Sequence, residues 1–196
     1  MLRFLLLDTA DPRLELPAAG PPLPLLYCWT CGVAQSDLWY RVEDDGGVEF
    51  LQYGQGGQET DFPYSDYPVY FPQRYVRLRA IPGAIQGAIL VKNSGKISTT
   101  YSEPGAIPEY EPTGERPESE IDLTGQEPWH QIGGQPLFLD TYWRMKCPLC
   151  DGRMPFLAAI GDESGAEKGF TENPYVQVLY HVCPECWCVG AYHQTD

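Results

Sequence analysis

Polar and apolar positions along this chain alternate in short runs, which predicts strands far more often than helices. Leu2 to Leu7 reads as a buried strand. Leu16 to Leu26 carries Pro17, Pro21, Pro22 and Pro24 and must be extended or looped, because proline lacks an amide donor and restrains the residue before it. Leu25-Leu26-Tyr27-Cys28-Trp29-Thr30-Cys31-Gly32 reads as a strand entering a knuckle-like turn. Asp37 to Val42 and Val48 to Tyr53 flank Glu43-Asp44-Asp45-Gly46-Gly47, a hairpin signal. Phe62 to Pro72 holds five aromatic residues and three prolines, so its rings lie across a sheet or line a groove. Tyr75 to Ile81 alternates as a strand. Pro82 to Asn93 is the best helix: Ile81, Ile85, Ala88 and Ile89 share a face, Pro82 suits the first turn, and Asn93-Ser94-Gly95 ends it.

Residues 103–129 break the pattern. They are rich in Glu, Pro and Gly, with Arg116 the only basic side chain, and predict a solvated acidic connector. Beyond it, Leu137–Leu139, Met154–Ile160, Val176–Val182 and Cys188–Tyr192 predict further strands. The expected fold is mainly β (α+β), with one or two short helices and a zinc-ribbon-like element at the C-terminus. Its expected divisions are a β-rich half over 1–102, the connector over 103–129, and a second β half over 130–196.

Composition agrees with a folded chain: 196 residues, 43% hydrophobic, 13% aromatic, with 20 glycines and 19 prolines favouring turns. The net charge of -14 argues against a nucleic-acid partner, since that affinity rests on cations neutralising phosphates. It suits a basic protein partner through steering, or serves solubility alone. No apolar run approaches a membrane span or a signal-peptide core, which predicts a cytoplasmic protein and no membrane partner.

In a reducing compartment, Cys-x-x-Cys pairs indicate metal or redox sites rather than disulfides. Six of the seven cysteines form such pairs. Cys147/Cys150 and Cys183/Cys186 are separated by 32 residues of strand-like sequence, the pattern of a zinc ribbon. Two intervening residues let one tight turn present both sulfurs to one ion, with turn amides free to donate to them. Pro148 and Pro184 stiffen the turns, and Gly152 fits a positive-φ position after Cys150. Four thiolates leave no open coordination position, so the expected zinc is structural. Cys28/Cys31 leave three readings open: a second site completed by Cys188 and His193, a redox dithiol, or an inert pair.

No HExxH, GxSxG or phosphate-loop motif is present, and no catalytic residue is assigned. His181, in an apolar run, reads as structural. His130 leads into a tight Gly133-Gly134 turn.

The order His130-Gln131-Ile132-Gly133-Gly134-Gln135-Pro136, Cys147-Pro148-Leu149-Cys150, Met154 to Ile160, Gly169-Phe170 and Val178 to Cys186 resembles the YwqG-like bacterial family of unknown function. It is also similar to the C-terminal motif order of the eukaryotic programmed cell death protein 2 group. Residues 128–194 carry most of the resemblance, and 23–82 a looser part. It implies a β-rich fold with zinc-binding cysteines and no established catalytic residues. The eukaryotic group contains chaperones dedicated to a basic ribosomal protein, and YwqG-like proteins are suspected immunity proteins. The expected function is therefore a zinc-stabilised, acidic protein-binding module, chaperone-like or toxin-neutralising; the alternative is a thiol redox protein using Cys28/Cys31.

Overall fold

The computed structural model describes residues 1–28, 37–52, 78–93, 97–102, 130–140, 142–161 and 176–195. Its strands are β1 (Leu2–Leu7), β2 (Leu23–Tyr27), β3 (Leu38–Val42), β4 (Val48–Gln52), β5 (Ile97–Ser102), β6 (His130–Ile132), β7 (Tyr142–Lys146), β8 (Arg153–Met154), β9 (Phe156–Gly161), β10 (Val176–Cys183) and β11 (Cys188–Thr195). The one α-helix among the described residues is α1 (Gly83–Asn93). The fold is mainly β.

A six-stranded sheet in the order β4-β3-β11-β10-β9-β6 forms the centre. All eight residues of β10 are buried, which is why that strand reads as a nearly continuous apolar run. Both of its faces are covered. On one, Val178, Tyr180 and Val182 of β10, Val189 and Ala191 of β11, and Leu38, Tyr40 and Val42 of β3 pack against Leu23, Leu25 and Tyr27 of β2. On the other, Leu179, Tyr192, Trp39 and Ala159 pack under Met145, Met154 and Phe138, joined by Cys147, Cys183 and Cys188. Three layers result: the β1-β2 pair, the central sheet, and the β5-β7-β8 sheet.

Each covering layer is fastened by a specific contact. The Tyr40 hydroxyl donates to the Pro24 carbonyl at 2.6 Å and accepts the Leu26 amide at 3.1 Å, tying the proline-interrupted β2 to β3. On the opposite face, a Cβ added at Gly190 would lie 2.9 Å from Met145 Sδ and 3.0 Å from Trp39 Cζ3. β7 approaches this closely because residue 190 has no side chain.

The two sequence halves share the central sheet. β3 and β4 extend it beside β11, and β5 pairs in parallel with β7. The connector at 103–129 and the aromatic-proline segment at 62–72 lie outside the described residues.

Several local expectations need correction. Residues 78–81 are irregular, not strand, while 75–77 lie outside the described residues. Leu137–Leu139 is also irregular. Its backbone is satisfied by side chains instead of a ladder: Asn93 Nδ2 donates to the Pro136 carbonyl at 2.6 Å, Asn93 Oδ1 accepts the Phe138 amide at 3.1 Å, and Gln177 Nε2 donates to the Leu137 carbonyl at 3.0 Å. Asn93 therefore ends α1 and also holds this segment, fully buried. The strand expected over 154–160 is broken at Pro155 into β8 and β9. Gly133 and Gly134 do form the expected turn, at φ +66° and +63°.

Candidate metal centre

Two turns of the same design meet on the Met145 face of the sheet. The first joins β7 to β8. Its hairpin pairs Met145 with Met154 and Lys146 with Arg153, and the Cys147 amide donates to the Gly152 carbonyl at 2.8 Å. The Asp151 amide returns to the Cys147 carbonyl at 2.8 Å. The second joins β10 to β11, with Cys183 opposite Cys188 in the ladder. Each reads Cys-Pro-x-Cys, followed by one non-glycine residue in the left-handed region: Asp151 at φ 59° and Trp187 at φ 52°. The positive φ expected of Gly152 thus falls on Asp151. Gly152 serves the turn by its lack of bulk, since an added Cβ would sit 3.2 Å from Cys150 Sγ.

These turns bring the sulfurs of Cys147, Cys150, Cys183 and Cys186 within 4.8 Å of one another, close enough to hold a metal ion. Cys150 and Cys183 sulfurs are 3.6 Å apart. A tetrahedral ion with metal–sulfur bonds of about 2.3 Å requires sulfur–sulfur edges of about 3.8 Å, and the Cys150–Cys183 pair already lies near that length. Cys147 and Cys183 are buried, Cys186 is half-buried, and Cys150 faces solvent.

The electrostatics suit a cation. Burial pushes the Cys183 thiol up to about 11 and also raises Cys186, with the neighbouring thiols adding to the rise at each. Cys150 moves the other way, because the Gly152 amide donates to its sulfur. Without a cation, Cys183 and Cys186 hold their protons; a bound dication removes them. The amides of Glu185 and Cys186 donate toward Cys183 and favour its thiolate.

The second turn is also bolted to the first sequence half. The Trp187 carbonyl accepts the Val42 amide at 2.9 Å. Its indole lies so close to Gly20 that a Cβ there would be 2.0 Å from Trp187 Cζ2. Sequence reading missed this clamp; the glycine beside Pro21-Pro22 was its only trace.

Of the expected grouping of Cys28, Cys31, Cys188 and His193, the structure separates Cys188 from His193. Cys188 and His193 are five residues apart on β11 and point to opposite faces. Cys188 joins the Cys147 and Cys183 side, whereas His193 Nδ1 lies 2.6 Å from the Tyr27 hydroxyl on the other. Cys28 is buried after β2, and Cys31 lies outside the described residues. Among the described residues, the four-cysteine group is the only cluster arranged to hold a metal.

Both His181 and His193 are built into packing. His181 is fully buried, stacks on Tyr192 at 5.9 Å with a 6° interplanar angle, and places Nε2 2.9 Å from the Tyr142 hydroxyl. Burial lowers its pKa to about 3 and that of His193 to about 4. Asp37, also buried, is raised to about 7 by desolvation, and its Oδ2 has no hydrogen-bond partner among the described residues.

No protein-family model, curated protein or solved structure matches this chain. Among the described residues, no helix is long and apolar enough to cross a membrane.

Proposed function

We propose that Cys147, Cys150, Cys183 and Cys186 bind one zinc ion as a closed structural centre in an acidic, cytoplasmic protein-binding module. The meeting of four sulfurs from two hairpins distant in sequence carries the metal assignment. Four soft thiolates select zinc over hard cations and leave no position for substrate. The ion fastens the β7-β8 hairpin to the turn of the central β10-β11 hairpin. It supplies folding free energy to an element too short to be stable alone.

The binding role rests on the net charge of -14 and on the similarity of motif order to the YwqG-like and programmed cell death protein 2 groups. The partner this favours is a basic protein, shielded or neutralised by the acidic surface through steered association. Chaperoning a basic nascent protein and neutralising a toxin share that chemistry.

Metal analysis of the purified chain tests the first part. One zinc per chain is expected, none overturns the assignment, and two brings Cys28/Cys31 into the account. Affinity capture at low salt tests the second. A specific basic protein, released as salt screens the attraction, is expected; recovery of no protein partner overturns the binding role.

A further inference from the structure

The four sulfurs of this centre are not equally reachable. Cys147 and Cys183 are buried and Cys186 is half-buried, whereas Cys150 faces solvent between the exposed Leu149 and Asp151. The Cys150 sulfur lies 3.6 Å from that of Cys183, in direct contact. That contact crosses the site, since Cys150 belongs to the β7-β8 turn and Cys183 ends β10. A disulfide needs a sulfur separation of about 2.05 Å, so the pair must close by roughly 1.5 Å. The partner free to move is Cys150. Its turn leads into the two-residue β8, while β10 is paired on both sides within the central sheet.

We propose that Cys150 and Cys183 are a peroxide-reactive pair, which oxidation joins as a disulfide in place of the metal link between the two turns. The chemistry is that of an exposed thiolate meeting hydrogen peroxide. The Cys150 thiolate attacks one peroxide oxygen; the O–O bond breaks, a sulfenic acid forms and hydroxide leaves. The Cys183 thiolate then attacks the Cys150 sulfur; an S–S bond forms, the S–O bond breaks and a second hydroxide leaves. The two thiolates have lost one electron each, and the peroxide has gained both. With two of four ligands gone, Cys147 and Cys186 alone do not retain the ion. The turns nevertheless stay joined, because the new bond runs from one to the other. A bond within either Cys-x-x-Cys pair would instead release them. In a reducing compartment the disulfide is transient, and thiols return both sulfurs to the metal. The disulfide itself requires only the sulfur contact; the exchange of metal for disulfide rests on the zinc reading.

The test treats the zinc-loaded, full-length wild-type protein with an equimolar amount of hydrogen peroxide. A chromogenic chelator reports released zinc, and peptide mapping without reduction locates the disulfide. Release of one zinc per disulfide is expected, with Cys150 linked to Cys183, and dithiothreitol with added zinc should restore the loaded protein. The Cys147 and Asp151 amides, bonded within the first turn, should stay protected from hydrogen exchange in the oxidised, zinc-free protein. A first disulfide within a Cys-x-x-Cys pair overturns the proposal, as does zinc release through sulfinic acid with no disulfide, or a protein that peroxide leaves unchanged. Loss of amide protection on oxidation overturns the joining of the turns. A chain that binds no zinc yet links Cys150 to Cys183 overturns the zinc reading and upholds the reactive pair.

Discussion

The two cysteine turns share a backbone and differ in what holds them. The first closes a hairpin whose second strand, β8, has two residues, and its Leu149 and Asp151 face solvent. The second closes β10 and β11, eight residues each, at the middle of the six-stranded sheet. Val42 holds its Trp187 carbonyl, and Gly20 receives the indole. The same local motif is thus a fixed abutment in one place and a loosely supported flap in the other. A metal between them transfers rigidity from the second to the first. Structural zinc does most where one side of its site is already built and the other cannot hold itself.

The largest expected effect comes from removing the ion. Structural zinc contributes on the order of 10 kcal/mol of apparent binding free energy at neutral pH. Stripping it with a chelator should abolish hydrogen-exchange protection at the Cys147 and Asp151 amides, which bond within the first turn, before protection falls in β10 and β11. Equal loss at both turns would break the comparison. Affinity should also fall as pH drops, because four thiols must release protons and burial holds Cys183 near 11.

Next in size is Trp187→Ala. Deleting a large aromatic packed on Gly20 and on the β1-β2 side of the core should destabilise by about 3–5 kcal/mol. Urea unfolding of the metal-loaded protein measures it. The comparison sharpens if the variant's metal affinity also drops, since the abutment then no longer pre-forms Cys183 and Cys186. Unchanged stability would show that the clamp is incidental.

These contrasts bear on how much of the molecule its sequence disclosed. The four cysteines were legible because the spacing of thiolates in a tight turn is a local property. The Glu43–Gly47 hairpin and α1 were legible for the same reason, each carrying its own start and stop. What depended on distant partners was not. Leu137–Leu139 has the composition of a strand, yet Asn93 and Gln177 satisfy its backbone before any strand can. β7 contains Arg144 and Lys146, so its pattern did not announce a covered strand. Trp187 looked like one more aromatic until Gly20 was placed beneath it. Cys188 and His193 are instructive in another way: their odd separation on a strand already forbade a shared site, and only the start of β11 was needed to see it.

A third prediction concerns β3, the strand that supports the abutment through Val42. Asp37 stands at its start, with its pKa raised from 3.8 to about 7 by burial. The folded state thus binds the proton more tightly than the unfolded chain. The corresponding stability is full below about pH 4 and is lost as pH rises toward 7. Asp37→Asn removes this dependence. Its stability relative to wild type should climb by on the order of 2–4 kcal/mol between pH 4 and pH 8. Comparing the two proteins cancels the opposite contributions of His181 and His193, whose folded pKa values of about 3 and 4 favour neutral pH. Urea midpoints across that range provide the measurement. A constant difference would mean that Asp37 is not desolvated and that β3 carries no pH-dependent strain into the second turn.

The smallest expected effect isolates the backbone from its surroundings. Asp151 and Trp187 hold nearly the same left-handed conformation, at φ 59° and 52°. Glycine adopts that conformation without steric penalty, so replacing either residue relieves a similar strain of about 1 kcal/mol. At Asp151, little is lost in exchange. Its 3.4 Å ion pair with Lys146 is solvent-facing and worth well under 1 kcal/mol, and the added freedom of the unfolded chain opposes the gain by a comparable amount. Asp151→Gly should therefore leave stability within about 0.5 kcal/mol of wild type. Trp187→Gly, with the same relief at the same position in its turn, should lose several kcal/mol, because the indole leaves Gly20 and the core beside it. Thermal or urea unfolding of the two loaded variants gives the contrast directly. If Asp151→Gly also lost more than about 2 kcal/mol, the first turn would have an anchorage of its own, and zinc would join two abutments instead of steadying a flap against one.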